Sequence, residues 1–190
     1  MNAAAPPDPF TLLLDLARTF TKAAGRLPAQ AEYSPVATMV AFQLAGCDAL
    51  VDLECLSEIL PVHHLTRLPQ VQPWMRGIAN VRGKLLPVVD GAEFLGQGMT
   101  SPSKHQRILV MVSEDFSAGV IVDRVDGLRH FAHDMFRERQ ELQTGPFHQF
   151  VAGGLVDTNQ RILPLFDPAL LFQDPAFRDA SLRRPAAQTN

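Results

Sequence analysis

The same seven-residue pattern occurs twice in this chain, and it constrains the fold more than any other feature. Lys84–Asp90 is matched position by position by Arg161–Asp167. Each copy has a basic residue, two aliphatic residues, a proline, two apolar residues and an aspartate, and each follows an apolar run that contains glycine. Short apolar runs bounded by turn residues are typical of strands. The repeat therefore predicts two copies of one small β unit.

A predicted hairpin precedes each copy. Its apolar segments alternate with short polar turns, which are of hairpin length and composition. The four segments are Met39–Leu44, Ala49–Leu53, Arg107–Val112 and Ser117–Val122, and the two turns are Gly46–Asp48 and Ser113–Asp115. Each β unit is thus predicted to contain a hairpin followed by two closing strands.

The first closing segment, Gly77–Asp90, reads as two strands that meet at a tight turn. Asn80 tolerates a positive φ, and Gly83 needs no room for a Cβ atom. Pro87 cannot donate to a sheet ladder, so the second strand is predicted to be an edge strand or to bend at a bulge. An edge strand is a surface on which a partner can dock.

Length, charge and cysteine content exclude several classes of protein. The chain has 190 residues, a formal net charge of -3 and a pI of about 6.0, which argues against a dedicated nucleic-acid binder. Cys47 and Cys55 can form neither a disulfide framework nor a four-ligand zinc site. Met1–Pro9 has no basic leader region, and no apolar run has the length of a membrane span. We expect a cytoplasmic protein without direct membrane insertion.

The predicted organisation has three parts. Residues 1–35 hold an amphipathic helix, Phe10–Gly25, and a proline-bounded linker. The helix either packs on its own domain or serves as a docking or membrane-surface segment. Residues 36–180 form the main domain, with the boundary between the two β units near residues 91–106, and residues 181–190 form a disordered tail. A short helical turn is predicted within Asp52–Ile59, and a short C-terminal helix from Pro168.

No constellation of residues indicates catalysis. Nucleotide-binding and nucleophile-elbow motifs are absent from the sequence. The histidine pairs His63-His64 and His130 with His133 lack neighbouring carboxylates at ligand spacing, so surface histidines are favoured over a metal site. Asp123 and Asp126 flank Arg124, which favours a salt-bridged turn over acid-base catalysis, and Cys55 is interpreted as a core thiol. The prediction is no catalytic, cofactor or metal site, and no nucleotide-binding activity.

The central stretch carries a family resemblance. Gly77–Gly83 followed by Leu86–Asp90 resembles the signature of CheW-like domains, the adaptors that couple chemoreceptors to a CheA-type histidine kinase. The match extends through Glu58–Leu60, Arg67–Pro69, Gly119–Asp123 and Gly153–Leu155, and so covers about Thr38–Phe172. Within the family, the sequence of this stretch is most similar to that of members that serve type IV pilus (twitching motility) systems. Gly91 departs from the pattern, because the family has an apolar residue there.

The resemblance implies a fold and a function. The fold is all-β with short helices, in two interlocked five-stranded SH3-like β-barrels. The function is that of a non-catalytic adaptor, recruited to membrane-associated receptor arrays, whose partners are the regulatory domain of a CheA-type kinase and the cytoplasmic tip of a chemoreceptor. The alternatives are an adaptor of flagellar chemotaxis or of another kinase pathway and, from a different class, a small β-barrel enzyme or ligand-binding protein.

The resemblance also implies two partner surfaces. We name the first the receptor groove, with candidate residues Leu56, Glu58, Ile59, Arg82, Val125 and Leu128. We name the second the kinase face, with candidate residues Ile78, Val81 and Leu86. For each aliphatic residue the alternative is a place in the barrel core. Glu58 and Arg82 are expected to form an ion pair across the first barrel, the alternative being two independent solvated charges.

Overall fold

The structure is a computed structural model that describes residues 36–62, 64–99, 102–113, 116–142 and 145–181. Its strands are β1 (Val36–Leu44), β2 (Cys47–Asp52), β3 (Leu56–Pro61), β4 (Met75–Val81), β5 (Lys84–Asp90), β6 (Arg107–Ser113), β7 (Phe116–Val122), β8 (Arg124–Ala132), β9 (Phe136–Glu138), β10 (Val151–Val156) and β11 (Ile162–Phe166). Its α-helices are α1 (Gly91–Phe94), α2 (Pro168–Gln173) and α3 (Pro175–Arg178). The predicted N-terminal helix lies outside the described residues.

Two sheets exchange their third strands. The five-stranded sheet has the order β3-β6-β7-β5-β4, and the six-stranded sheet has the order β8-β1-β2-β11-β10-β9. The hairpin β1–β2 thus lies in the six-stranded sheet, while the next strand, β3, pairs with β6. In the same way β6–β7 lies in the five-stranded sheet, while β8 pairs with β1. We call the five-stranded sheet the first barrel and the six-stranded sheet the second; the predicted interlocked fold is confirmed.

The two repeated segments occupy equivalent places in the two barrels. β5 is antiparallel to β4 and parallel to β7, and β11 is antiparallel to β10 and parallel to β2. The parallel pairing begins at Val88 in β5 and at Leu165 in β11, directly after Pro87 and Pro164. Each proline therefore lies where no ladder donor is required. Of the two predicted alternatives, an edge strand or a bulge, the first does not hold for β5 as a whole, since β5 lies between β4 and β7. A bulge does occur beside Pro87, in β4 between Met75 and Gly77.

The aspartates that end the two segments also have matching contacts. The Asp90 N–H donates to the Trp74 carbonyl at 2.7 Å, and the Asp167 N–H donates to the Phe150 carbonyl at 2.8 Å. Each carboxylate then caps a helix, since Asp90 accepts from the Glu93 N–H and Asp167 from the Ala169 N–H. The duplication predicted from the sequence is confirmed at the level of individual hydrogen bonds.

Three apolar clusters hold the domain together. The first barrel has its own small core around Leu86, Val88 and Ile108, and the second has one around Leu50 and Leu163. A larger cluster draws on both sheets and on the C-terminal helices; it includes Val40, Phe42, Leu44, Leu109, Met111, Val120, Phe166 and Phe172. The central strands are therefore covered on both faces, which explains their continuous apolar runs.

Three local predictions need correction. The segment Asp52–Ile59 contains the predicted helical turn only at Leu53–Cys55, and the strand β3 begins at Leu56. Glu58 therefore lies within a strand rather than at the end of a helical turn. The β1–β2 turn is Ala45-Gly46, with φ of 51° and 75°, one residue earlier than predicted. Ser181, placed in the predicted tail, forms an isolated bridge with Val71, and residues 182–190 lie outside the described residues.

The second barrel has a sixth strand that the sequence did not predict. β9 pairs with β10 through Glu138 opposite Gly153 and Phe136 opposite Leu155. A Cβ atom on Gly153 would lie 2.4 Å from Cζ of Phe136, so only glycine lets the Phe136 ring lie over the strand. The segment between β8 and β10 thus contributes a strand as well as short helical turns.

The departure from the family pattern at Gly91 has a steric explanation. A Cβ atom there would lie 2.7 Å from Cδ1 of Leu44 and 3.0 Å from the carbonyl oxygen of Ile121. The start of α1 is therefore pressed against both sheets, and a larger apolar residue has no space.

Candidate partner-binding site

The β4–β5 turn is a two-residue hairpin turn whose geometry depends on three side chains. Arg82 and Gly83 have φ of 51° and 82°, the pair of positive φ values that a type I′ turn requires. Asn80 contributes through its side chain, since its Oδ1 accepts the Gly83 N–H at 2.9 Å. This bond fixes the turn that presents Arg82.

The predicted ion pair between Glu58 and Arg82 is present. Arg82 Nε lies 3.2 Å from Glu58 Oε1; the Arg82 side chain is 81% exposed and that of Glu58 is 19% exposed. Glu58 lies on β3 and Arg82 at the end of β4, which are the two opposite edges of the five-stranded sheet. The pair therefore joins the edges of the first barrel, together with a bridge between Thr66 and Ile78.

The aliphatic candidates for the receptor groove divide into two kinds. Leu56 and Val125 are half-buried against the large shared core, whereas Ile59 and Leu128 are exposed, at 40% and 59%. The two kinds correspond between the barrels: Leu56 and Val125 both lie next to a bulge, at the pairs Leu56–Met111 and Val125–Phe42. The structure thus places the four residues on the two exchanged strands.

The candidates for the kinase face differ in exposure. Ile78 and Val81 are half-buried on β4, and the backbone of Ile78 exchanges two hydrogen bonds with Thr66 at 2.9 Å. Leu86 is only 5% exposed and belongs to the core of the first barrel, so its assignment to a binding surface is not supported. Its neighbour Leu85 is 73% exposed. Alternation along β5 points these two side chains to opposite faces.

Beside this surface lies an ion pair that was not predicted from the sequence. Arg76 Nη1 lies 3.2 Å from Asp90 Oδ2, and the Asp90 side chain is 1% exposed. The contact ties β4 to the end of β5, fourteen residues later in the chain. Its only sequence signal was the aspartate that ends both repeated segments.

The structure agrees with structural rather than catalytic roles for Asp123, Asp126 and Cys55. Arg124 Nε donates to Asp126 Oδ1 at 2.8 Å, and this bond raises the pKa of Arg124 further. Asp123 accepts the Gly46 N–H at 2.8 Å and so supports the β1–β2 turn. Burial, followed by the nearby Asp52, raises the pKa of the Cys55 thiol, which lowers its reactivity.

Neither a metal-binding cluster nor a membrane-spanning helix occurs in the described ranges. Within them, no group of three or more histidine, cysteine, aspartate or glutamate residues is arranged to hold a metal ion. Within them, too, no helix has the length and apolar character needed to span a membrane.

A sequence model of the CheW-like domain family matches residues 38–176. The chain belongs to the CheW-like family. The matched range contains both barrels, the Glu58–Arg82 pair and the two repeated segments. The resemblance seen in the central stretch is therefore confirmed.

Individual relatives agree with this assignment. Protein PilI of Pseudomonas aeruginosa is 34% identical over 174 residues, which is 92% of this chain and 97% of that protein. The chemotaxis protein CheW of Thermotoga maritima is 26% identical over 68% of this chain and 83% of its own length. Among solved structures, the scaffolding protein TtCheW from Thermoanaerobacter tengcongensis superposes with a TM-score of 0.65 at 26% identity, covering 74% of this chain and 94% of that one.

Proposed function

We propose that this protein is a non-catalytic adaptor that couples a chemoreceptor to a CheA-type histidine kinase in a type IV pilus chemosensory system. The family membership supports an adaptor in chemotaxis-type signalling. The similarity to PilI, which extends over almost all of both chains, supports the pilus pathway over flagellar chemotaxis.

One observation carries the assignment of surfaces: the Glu58–Arg82 pair joins the strand of the proposed receptor groove to the hairpin of the proposed kinase face. Glu58 lies between Leu56 and Ile59 on β3, and Arg82 follows Val81 at the end of β4. A ligand that moves β3 would therefore act on a contact of the β4–β5 hairpin.

The receptor groove would take an amphipathic helical tip through the exposed Ile59 and Leu128, with Leu56 and Val125 behind them. The kinase face would use Ile78, Val81 and the exposed Leu85, which replaces Leu86 in this proposal. In both surfaces, apolar side chains stand beside charged ones, which matches the apolar centre and polar rim of protein interfaces.

Arg82→Ala should weaken capture of both the cognate kinase regulatory domain and a receptor-tip fragment, since Arg82 belongs to the receptor groove and its contact with Glu58 holds the hairpin that carries the kinase face. Pull-down with each purified partner measures this effect. Leu85→Ser should reduce capture of the kinase domain alone. Arg67→Ala, an exposed arginine outside both surfaces, is the matched control. Retention of both partners at the wild-type level by Arg82→Ala would contradict the proposed surfaces, and failure of the wild-type chain to bind either partner would contradict the function itself.

A further inference from the structure

The two barrels close their seams differently. In the first barrel, β3 and the β4–β5 turn are joined by Glu58 and Arg82. The corresponding elements of the second barrel are β8 and the β10–β11 turn. Between them lies an open cleft of about 500 Å³, lined by residues 129–132 of β8, by Met135 and by residues 156–161 of the turn.

The strand register explains why no carboxylate closes the second seam. In β3 the ladder skips one residue at a bulge and resumes with Glu58 opposite Val110. In β8 the ladder skips one residue at the matching bulge, and Gly127 lies opposite Ala41. Gly127 thus stands where the first barrel has Glu58. The second barrel therefore lacks a counterpart of Glu58, the acidic residue of the ion pair.

The arginine has no counterpart in the second turn either, because Thr158 and Asn159 stand where the first barrel has Arg82. The cleft has a different basic residue, on the strand β8. Arg129 lies two residues beyond Gly127, is half-buried and lines the cleft. Within the described residues its side chain makes no ion pair or hydrogen bond. A ligand that supplies a carboxylate would give this guanidinium the anionic partner that the described residues do not offer.

The cleft contains one carboxylate, that of Asp157, and hydrogen bonds within its own turn already engage it. Asp157 is 5% exposed in its side chain, and its oxygens accept the N–H groups of Asn159 and Arg161 and the Arg161 Nε at 2.8 to 3.1 Å. These bonds, first of all the one from the Arg161 N–H, hold the pKa of Asp157 below its ordinary value. The turn is therefore rigid, and Arg161 stands at the rim with its side chain 58% exposed.

We propose that this cleft binds a carboxylate side chain carried by an acidic segment of a protein partner. Arg129 is its main contact, because the planar guanidinium matches a carboxylate in geometry and charge. Asn159 and Gln160 offer amide donors beside it, and the half-exposed Met135 offers an apolar contact to a neighbouring side chain. None of the residues proposed for the receptor groove or the kinase face lines the cleft, so this site goes beyond the adaptor function.

The test is a titration of the full chain followed by NMR of the arginine Nε–Hε groups. The probe is the peptide acetyl-Glu-Leu-Glu-amide, and its control is acetyl-Gln-Leu-Gln-amide. The acidic peptide should shift the Arg129 signal in a saturable way, and the neutral peptide should not. Arg129→Gln should weaken binding by about tenfold, as expected for the loss of one charge-assisted contact. Arg67→Gln should leave it unchanged.

Two results would overturn the proposal. The first is equal binding of the neutral peptide, or unchanged affinity in Arg129→Gln. The second is an equal response to sodium acetate or inorganic phosphate, which would assign the cleft to free anions rather than to a partner segment. Arg129→Lys keeps the charge but loses the planar fork, so an affinity between those of wild type and Arg129→Gln separates loss of recognition from loss of folding.

Discussion

The two members of the Glu58–Arg82 pair lie in different environments, and this asymmetry decides what each contributes. The Arg82 side chain is 81% exposed and that of Glu58 is 19% exposed. Loss of Glu58 leaves a guanidinium in water, which costs little. Loss of Arg82 leaves a largely buried carboxylate without its partner. The contribution of this pair to stability is therefore expected to lie between that of an exposed salt bridge and that of a buried one.

Arg82→Ala should lower the free energy of unfolding by about 1–2 kcal/mol and Glu58→Ala by about 1 kcal/mol or less. Arg82 has a φ of 51°, and alanine and arginine both carry a Cβ atom, so backbone strain cancels between them. Urea unfolding of both variants and of the double variant measures the coupling, expected at about 1 kcal/mol. Additive losses would show that the two residues do not interact.

Asp157 gives the domain a pH dependence whose sign can be derived. Its pKa is lowered in the folded state, chiefly by the hydrogen bond from the Arg161 N–H. A carboxyl group with a lowered folded-state pKa stabilises the fold above its unfolded-state pKa of about 3.9, and this stabilisation is lost as the pH falls through the lower value. Below both pKa values Asp157 is protonated in the folded and the unfolded state, and it then no longer contributes to the pH dependence of stability.

Asp157→Asn should therefore be less stable than wild type at neutral pH, with a difference that shrinks as the pH falls below about 4. Urea denaturation at a series of pH values measures the difference. Asp134→Asn, which changes an exposed carboxylate, is the control. A difference that stays constant to the lowest accessible pH would show that the Asp157 charge does not stabilise the turn.

Among the elements, β9 depends most on a single distant residue. A Cβ atom on Gly153 would be 2.4 Å from the Phe136 ring and 2.8 Å from the carbonyl oxygen of Arg137, and this second clash is with the backbone of β9 itself. Gly153→Ala should displace β9 while the other strands of the second barrel remain paired. Hydrogen exchange should quicken at Arg137 and Glu138 and stay slow at Val40 and Val51. Ala152→Ser, at the exposed neighbouring position, is the control, and unchanged exchange at Arg137 would refute the steric argument.

Strands with a local pattern of apolar residues and turns could be predicted from the sequence, whereas contacts between distant segments could not. β1, β2, β6 and β7 followed from apolar runs and turns, because these patterns are local. β9 is a strand of only three residues, Phe136–Glu138, too short to show a pattern of its own, and Gly153 makes room for it. Leu85 and Leu86 were both apolar neighbours on one strand, and only the fold decides which one faces the core. The Glu58–Arg82 pair came from the family resemblance, since residue spacing alone does not place two sheet edges together.

At the scale of the whole molecule, strand exchange makes the two barrels a single folding unit. The first barrel needs β3 from the first half of the chain, packed on β6 of the second half. The second barrel needs β8 packed on β1. The large apolar cluster also draws side chains from both sheets. Neither barrel can unfold without exposing the other's core.

The full chain should therefore unfold in one transition, with the fluorescence of the single tryptophan and the far-UV circular dichroism changing together. Trp74 is a suitable reporter because its ring stacks on Phe177 of α3, with ring centroids 5.9 Å apart. Separate fragments 36–99 and 102–181 should each be unfolded and should regain structure when mixed. Two resolved transitions, or a fragment that folds alone, would contradict this cooperativity.

The exchange of β3 and β8 has a consequence for how the arrangement responds to dilution. Each half of the chain lends its third strand to the other, as the two protomers of a domain-swapped dimer do. Because both halves belong to one polypeptide, the strands meet at an effective concentration set by the connecting segment and not by the amount of protein in solution. The domain thus keeps a dimer-like architecture at concentrations where a swapped dimer would dissociate.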